Sequence, residues 1–317
     1  MNTVFFLFQQ TMYFFIPLLI VALAGMFSER GGVVNIALEG TMIIGALTGI
    51  LLINIAGDSM SGQGLLLLAL LVAGLTGLVF SLLLGYAAIN LKANQIIVGT
   101  ALNLLSPAVS IFVARIFFGV QQITFSNTFR IESVPILGDI PILGPMLFQN
   151  AYLTTYIGIL IFVISWVLLS RTRFGLRLRA CGEHPQAADS VGINVYRMRY
   201  AGVLLSGFLG GIGGLVFVIP TSTSFNASVS GYGFLALAVL IFGQWKPGKI
   251  FFAALFFAVT KMLASAYSGI PVINQLPISN NVYKMIPYIL TLIALAFASK
   301  RSQAPKAAGQ PYNPGGR

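Results

Sequence analysis

Apolar runs long enough to cross a bilayer alternate with short polar breaks along almost the whole chain. A span needs about 20 apolar residues. Nine runs are read, at about Phe8–Phe27, Val33–Ile55, Leu65–Ile89, Gln95–Phe118, Ala151–Ser170, Tyr200–Ile219, Phe234–Trp245, Ile250–Tyr267 and Lys284–Ser299. The expected fold class is therefore all-α: a polytopic integral membrane protein of about nine transmembrane helices, within a range of eight to ten, with broken or re-entrant segments among them. The seventh run is short for a full crossing unless it borrows from the polar stretch before it, Pro220–Gly233. Gly119–Asn150 carries Pro135, Pro141 and Pro145 and reads as an ordered extramembrane loop with turns. The division expected is a single transmembrane domain over 1–300 and a basic, Pro/Gly-rich tail over 301–317.

The most basic polar island is Arg171–Arg199, which holds six of the 18 Lys and Arg residues. Short loops rich in Lys and Arg stay on the cytoplasmic side. With that island inside and alternation outward, 14 of the 18 bases fall inside, three fall outside and Lys261 falls within a span. The N-terminus is then expected outside and the C-terminus inside, in a bacterial-type cytoplasmic membrane.

Composition narrows the function. The chain is 57% hydrophobic and 8% charged, against about 25% charged in a soluble domain. The net charge of +11 sits in loops at span ends, without the basic, aromatic-interleaved face of a nucleic-acid binder. One cysteine, Cys181, and one histidine, His184, argue against a disulfide, a multi-Cys metal site or metal catalysis. No Lys or Arg precedes Arg30, so the first run reads as a permanent span and not a signal peptide. There is no G-x-x-x-x-G-K-[ST] loop, so ATP hydrolysis by that machinery must lie on another chain.

Inside the island, Pro185 opens and Gly192 closes a stretch that reads as a short helix, Pro185–Val191, with Ala187, Ala188 and Val191 as a small apolar strip. Small side chains let a second surface approach closely, and flanking arginines can pair with acids of a partner. The bland alternative is a solvated loop that only sets topology.

Three stretches carry a family resemblance. Gly175–Val195, GLRLRACGEHPQAADSVGINV, resembles the coupling loop of ABC importer permeases, in the branch that includes simple-sugar and nucleoside permeases. Ser28–Gly40, SERGGVVNIALEG, is similar to that branch's S-E-R-x-G-V-x-N-I-G-L-E-G signature, and Asn94–Asn103, NQIIVGTALN, to its N-Q-I-I-V-G-T-x-L-N segment. The tail Lys306–Tyr312 also looks like the branch's ending. Ala37 stands in place of the usual glycine and Cys181 in place of a small aliphatic residue; neither removes a charge or a proline.

The resemblance implies an ABC ATPase subunit carrying ATP and Mg, a second related permease subunit, an extracytoplasmic substrate-binding protein, no cofactor bound by this chain, and nucleosides ahead of simple sugars as cargo. It places ATPase coupling on Arg179, Gly182, Glu183, Pro185, Ala187, Ala188, Asp189 and Gly192. An ion-coupled transporter or channel is the rival reading; it would need a charged relay within the spans, where only Glu39 and Lys261 are available.

Polar residues near the spans are candidates for the translocation path. Glu39 lies a turn after Asn35 and is either a pin or gate, or an interfacial carboxylate paired with Arg30 or Lys92. Lys261 falls near mid-bilayer and must meet a partner, a carbonyl or water. Asn94, Gln95 and Asn103 either line the path or bond between helices. Ser222, Ser224 and Asn226 lie in a break that is either an external loop or the lining of a cavity. Asn35-x4-Gly40 and Asn226-x4-Gly231 hint at an inverted repeat.

Overall fold

The computed structural model describes residues 2–266, apart from 136 and 142, together with 285, 289 and 304–314. The expected ninth run, Lys284–Ser299, lies outside the described residues except for those two positions. Ten α-helices are described: α1 (Asn2–Arg30), α2 (Leu38–Ala56), α3 (Gly62–Gly85), α4 (Gln95–Phe118), α5 (Leu153–Arg171), α6 (Arg173–Glu183), α7 (Pro185–Ser190), α8 (Val195–Thr221), α9 (Tyr232–Phe242) and α10 (Pro247–Ala266). A wider turn with a Leu91-to-Tyr86 bond extends α3 through Tyr86–Asn90.

Seven of these helices are long and apolar enough to cross a membrane. The chain is thus a multi-pass helical membrane protein. The seventh expected span does not borrow from the break before it. Instead α9 is an 11-residue helix, about 17 Å long at 1.5 Å per residue, and it cannot cross by itself. α8 runs one residue past Pro220 to Thr221, and the chain then runs non-helically to Gly231.

At the centre α1 and α8 pack along each other, and both are buried almost throughout. α8 comes close to its neighbours because of its GGIGG run. A Cβ on Gly211 would fall on the Ala73 carbonyl of α3, and one on Gly214 on the Met42 carbonyl of α2. Small residues replacing bulk at a helix crossing are the usual means of close association in lipid, where apolar burial gives no drive.

Around this pair the packing is two-fold repeated in opposite sense. α2 and α3 lie on α8, while α9 and α10 lie on α1. α1 ends, and α8 begins, at the face that carries Arg30, Glu183 and the arginine-rich segment. Each central helix is followed by a non-helical break and then a helix that starts inside the protein. The repeat lies in this architecture and not in the Asn-x4-Gly identity: Gly40 is within α2, whereas Gly231 caps α9.

Gly119–Asn150 forms the opposite end, as expected of an ordered loop. Its β1 (Ile123–Thr124) pairs antiparallel with β4 (Ser224–Phe225) of the second break, Ile123 opposite Phe225. β2 (Arg130–Ser133) pairs with β3 (Gln149–Tyr152), Ile131 opposite Ala151. The all-α core therefore carries two small ribbons at one end.

Candidate functional site

The first break, residues 31–37, has backbone groups that no helix satisfies, and buried groups of that kind need partners. α4 supplies them. The Val34 N–H donates to Gln95 Oε1 at 2.7 Å, and Asn103 Nδ2 donates to the Ile36 carbonyl at 2.9 Å. Asn103 Oδ1 also accepts from the Gly40 N–H at 2.7 Å. Gln95 and Asn103 are eight residues apart and share the inward face of α4 with Gly99, against which Ile36 packs. On the other side Asn35, fully buried, donates to Ser206 Oγ of α8 at 2.8 Å. These side chains hold a broken helix in place.

Glu39 joins the two breaks. Its carboxylate accepts from the Gly231 N–H at 2.9 Å and the Gly233 N–H at 2.6 Å, at the N-terminus of α9. Glu39 is itself in the first turn of α2, so one carboxylate sits at two helix N-termini, where the peptide dipoles favour negative charge. Ser230 and Gly231 hold left-handed φ of 54° and 77°, the turn that presents these amides. The pairing with Arg30 or Lys92 at an interface, weighed from the sequence, is not formed. Glu39 is too deep: Asn103, beside it, is about 12 Å along α4 from Gln95, and the N-terminus of α9 is about 17 Å from the turn at Trp245. The two broken elements thus meet roughly midway between the faces.

Lys261 of α10 reaches the same neighbourhood, with Nζ 5.8 Å from the centre of the Tyr232 ring. Tyr232 follows Gly231 and is buried. The other path candidates separate. Asn94 caps α4, accepting from the Ile96 and Ile97 N–H groups. Ser222 Oγ donates to the Ser224 carbonyl within one turn, and Ser224 sits in β4. Asn226 is exposed.

The arginine-rich segment holds more structure than one short helix. α6 precedes α7, and Thr172 accepts from the Gly175 N–H as its cap. Its buried stripe, Gly175, Leu178, Cys181 and Gly182, has the i, i+3, i+7 spacing of a helix face. That spacing is a helix signal in the sequence itself, set among the arginines. Gly182 lies against the Arg30 carbonyl, where a Cβ would not fit. Glu183 pairs with Arg30 at 3.4 Å, so it ties α6 to α1 and does not stand free for a partner. Arg179 Nε donates back to the Gly175 carbonyl at 3.3 Å. Burial pushes the Cys181 thiol up to about 11.

α7 spans Pro185–Ser190, and Gly192 leaves it at a φ of 81°. The apolar strip expected on it is split. Ala188 and Pro185 face inward, Ala188 being 3% exposed against Cys181, Val195 and Tyr312. Ala187, Asp189 and Val191 face outward with Gln186 and Ser190. Consecutive residues on a helix point about 100° apart, and the inward face of this short helix is narrow enough to take Ala188 and leave Ala187 in the open. Residues that sequence reasoning missed at this end are Arg199, buried at 1% exposure, and Trp245, whose Nε1 donates to Glu29 at 2.6 Å.

The family model described as "Branched-chain amino acid transport system / permease component" matches residues 7–295. The chain is 44% identical over 310 residues to the "Guanosine ABC transporter permease protein NupQ" of Bacillus subtilis, covering 97% of this chain and 96% of that one. It is 40% identical over 312 residues to the "Nucleoside ABC transporter permease protein NupC" of Lactococcus lactis, covering 98% of each. A second Lactococcus lactis protein, the "Nucleoside ABC transporter permease protein NupB", is 25% identical over 317 residues, covering 93% of this chain and 83% of that one. With the broken-helix core and the helix protruding from its arginine-rich face, these matches establish that the chain belongs to the branched-chain amino acid transport system permease family, as a membrane-spanning permease subunit of an ABC transporter.

Proposed function

We propose that this chain forms part of the translocation path of an ATP-driven importer for nucleosides, in the cytoplasmic membrane of a bacterium. The observation that carries the coupling role is α7. It is a short helix between two long ones, on the face richest in arginine, with Gln186, Ala187, Ser190 and Val191 turned outward. A chain without a nucleotide loop needs a surface where an ATPase can push, and this is the surface available. The nucleoside assignment is supported by the 44% and 40% identical relatives, which are named for guanosine and nucleosides.

The basic face is taken as cytoplasmic by the positive-inside rule. A second, related permease completes the membrane dimer; NupB and NupC, both of Lactococcus lactis and both similar to this chain, support such a pair. A binding protein delivers cargo at the opposite face, by the ribbons of 119–152. The Glu39 junction joins the two repeats, so alternating access would turn on movement of α2 and α9 about it.

The test is ATP-driven uptake of labelled guanosine into vesicles holding this chain, its partner permease and the ATPase, with binding protein supplied outside. Uptake that survives ATP depletion but collapses with the ion gradient would sink the importer reading. Because Ala188 is internal, docking is tested at Ala187. Ala187→Arg is expected to abolish uptake while leaving insertion intact, and normal uptake by that variant refutes α7 as the coupling element.

A further inference from the structure

The segment 304–314 returns to the basic face and lies across three elements at once. The Ala307 N–H donates to the Gly182 carbonyl at 2.9 Å, and the Gly309 N–H to the Gly32 carbonyl at 3.2 Å. Arg199 Nη1 donates to the Gln310 carbonyl at 2.9 Å. Lys92 donates to the Asn313 side chain. Tyr312, 5% exposed, is edge-on to Tyr196 at 5.5 Å and lies under the Arg199 guanidinium at 6.0 Å. It also packs with Cys181 and Ala188. The end of α1, the α6–α7 corner and the start of α8 are thereby tied by one strand of chain about ten residues long.

The strap leaves a cavity of about 220 Å³ between itself and α7. His184 and Gln186 line it on the helix side, Lys306 and Gln310 on the strap side, and Arg199 also borders it. Its one carboxylate, Glu183, is engaged by Arg30 at 3.4 Å and accepts from the Lys306 N–H at 3.4 Å. Lys306 is exposed, and its ammonium forms no ion pair among the described residues. Arg199 Nε and Nη2 have no hydrogen-bond partner among the described residues. The notch is thus open and basic, and it borders the helix proposed to meet the ATPase.

We propose that the C-terminal strap is a working part of the ATPase interface. It braces α7 from behind, through Tyr312 and Ala307, and with α7 it forms a basic notch that takes an acidic side chain of the ATPase against Lys306. This rests on α7 being the coupling helix. A push on α7 reaches α1 and α8 through a corner that the strap holds rigid; without the strap the corner can yield, and the push is lost.

The test uses the complete complex in lipid discs. A zero-length carbodiimide reagent is expected to join Lys306 to an ATPase carboxylate, read by mass spectrometry. Lys306→Arg should lose that crosslink, since a guanidinium does not form the amide, and should retain more of the ATPase in mild detergent than Lys306→Glu does. Lys306→Glu should lower ATPase retention in mild detergent and cut uptake at least tenfold. A chain ending at residue 303 should do the same and raise the ATP hydrolysed per guanosine transported. Lys306→Glu sits at the surface and does not disturb folding, so it decides the matter if the shortened chain fails to insert. Wild-type uptake in both, or no crosslink at Lys306 in a fully active complex, overturns the proposal. If those results come with Ala187→Arg inactive, the strap idea fails and the coupling helix stands; if Ala187→Arg is also active, the coupling reading itself fails.

Discussion

Glu39→Ala removes the carboxylate that joins the first turn of α2 to the N-terminus of α9. The Gly231 and Gly233 N–H groups lose their acceptor, at 2.9 and 2.6 Å. An orphaned buried donor costs about 1–3 kcal/mol. Gly233 is buried and counts in full; Gly231 is half-buried and counts for about half. Loss of negative charge at two helix N-termini adds about 0.5 kcal/mol each. Against this, the carboxylate, 8% exposed, no longer has to be stripped of water, and removing a buried charge recovers part of that cost. The net is a loss of about 2–3 kcal/mol. For a chain of this size that is a fall in Tm of about 3–5 °C, read by thermal unfolding in detergent.

Glu39→Gln keeps one acceptor oxygen but sets its amide against the second N–H, so it should fall between wild type and alanine. A double-mutant cycle sharpens the test. Gly233→Ala pushes α9 off α2, since a Cβ there would come within 2.9 Å of the Glu39 Cβ and closer still to its backbone. With the clasp already broken, Glu39→Ala should then cost at most half as much as in the wild-type background. A Glu39→Ala protein whose Tm stays within about 1 °C of wild type, or strict additivity with Gly233→Ala, refutes the clasp.

Gly214→Ala should cost about 1–3 kcal/mol by overpacking, because the new methyl would fall on the Met42 carbonyl of α2; thermal unfolding reads it, and an unchanged Tm would show that α8 can move aside. Cys181 should resist alkylation in the folded protein. Its thiol is fully buried and raised from the ordinary 9.0 to about 11, so at pH 8 about one thiol in a thousand is thiolate. The fold favours the protonated form; that contribution is whole below pH 9 and is lost as pH rises through about 11. Maleimide labelling should therefore be slow in native membranes and complete within minutes in denaturant, and fast native labelling would contradict the packing of α6 against Ala188 and Tyr312.

Much of the scaffold was legible in the chain. Length and apolarity mark nine runs, of which seven are helices long enough to cross among the described residues, and Pro185 with Gly192 marks the position of α7 to within a residue of its end. α6 was legible too, through the i, i+3, i+7 spacing of Gly175, Leu178 and Gly182, although arginines surround that stripe. The shortness of α9 was half-visible as a run too brief to cross. What the break before it does was not, since a polar loop and a polar cavity lining have the same composition.

Local pattern, then, decided the class of the protein, because a helix's hydrogen bonds and its apolar length are properties of neighbouring residues. Partner choice was left to the tertiary structure. Glu39 looks equally fit for an arginine at a membrane face, yet its partners are amides 192 and 194 residues further on. Ala187 and Ala188 are the same residue type, and it is the packing of Cys181, Val195 and, from the far end of the chain, Tyr312 that takes one inward and leaves the other out. Such contacts follow from which surfaces meet, and the residues that make them are too far apart in sequence for any local period to record.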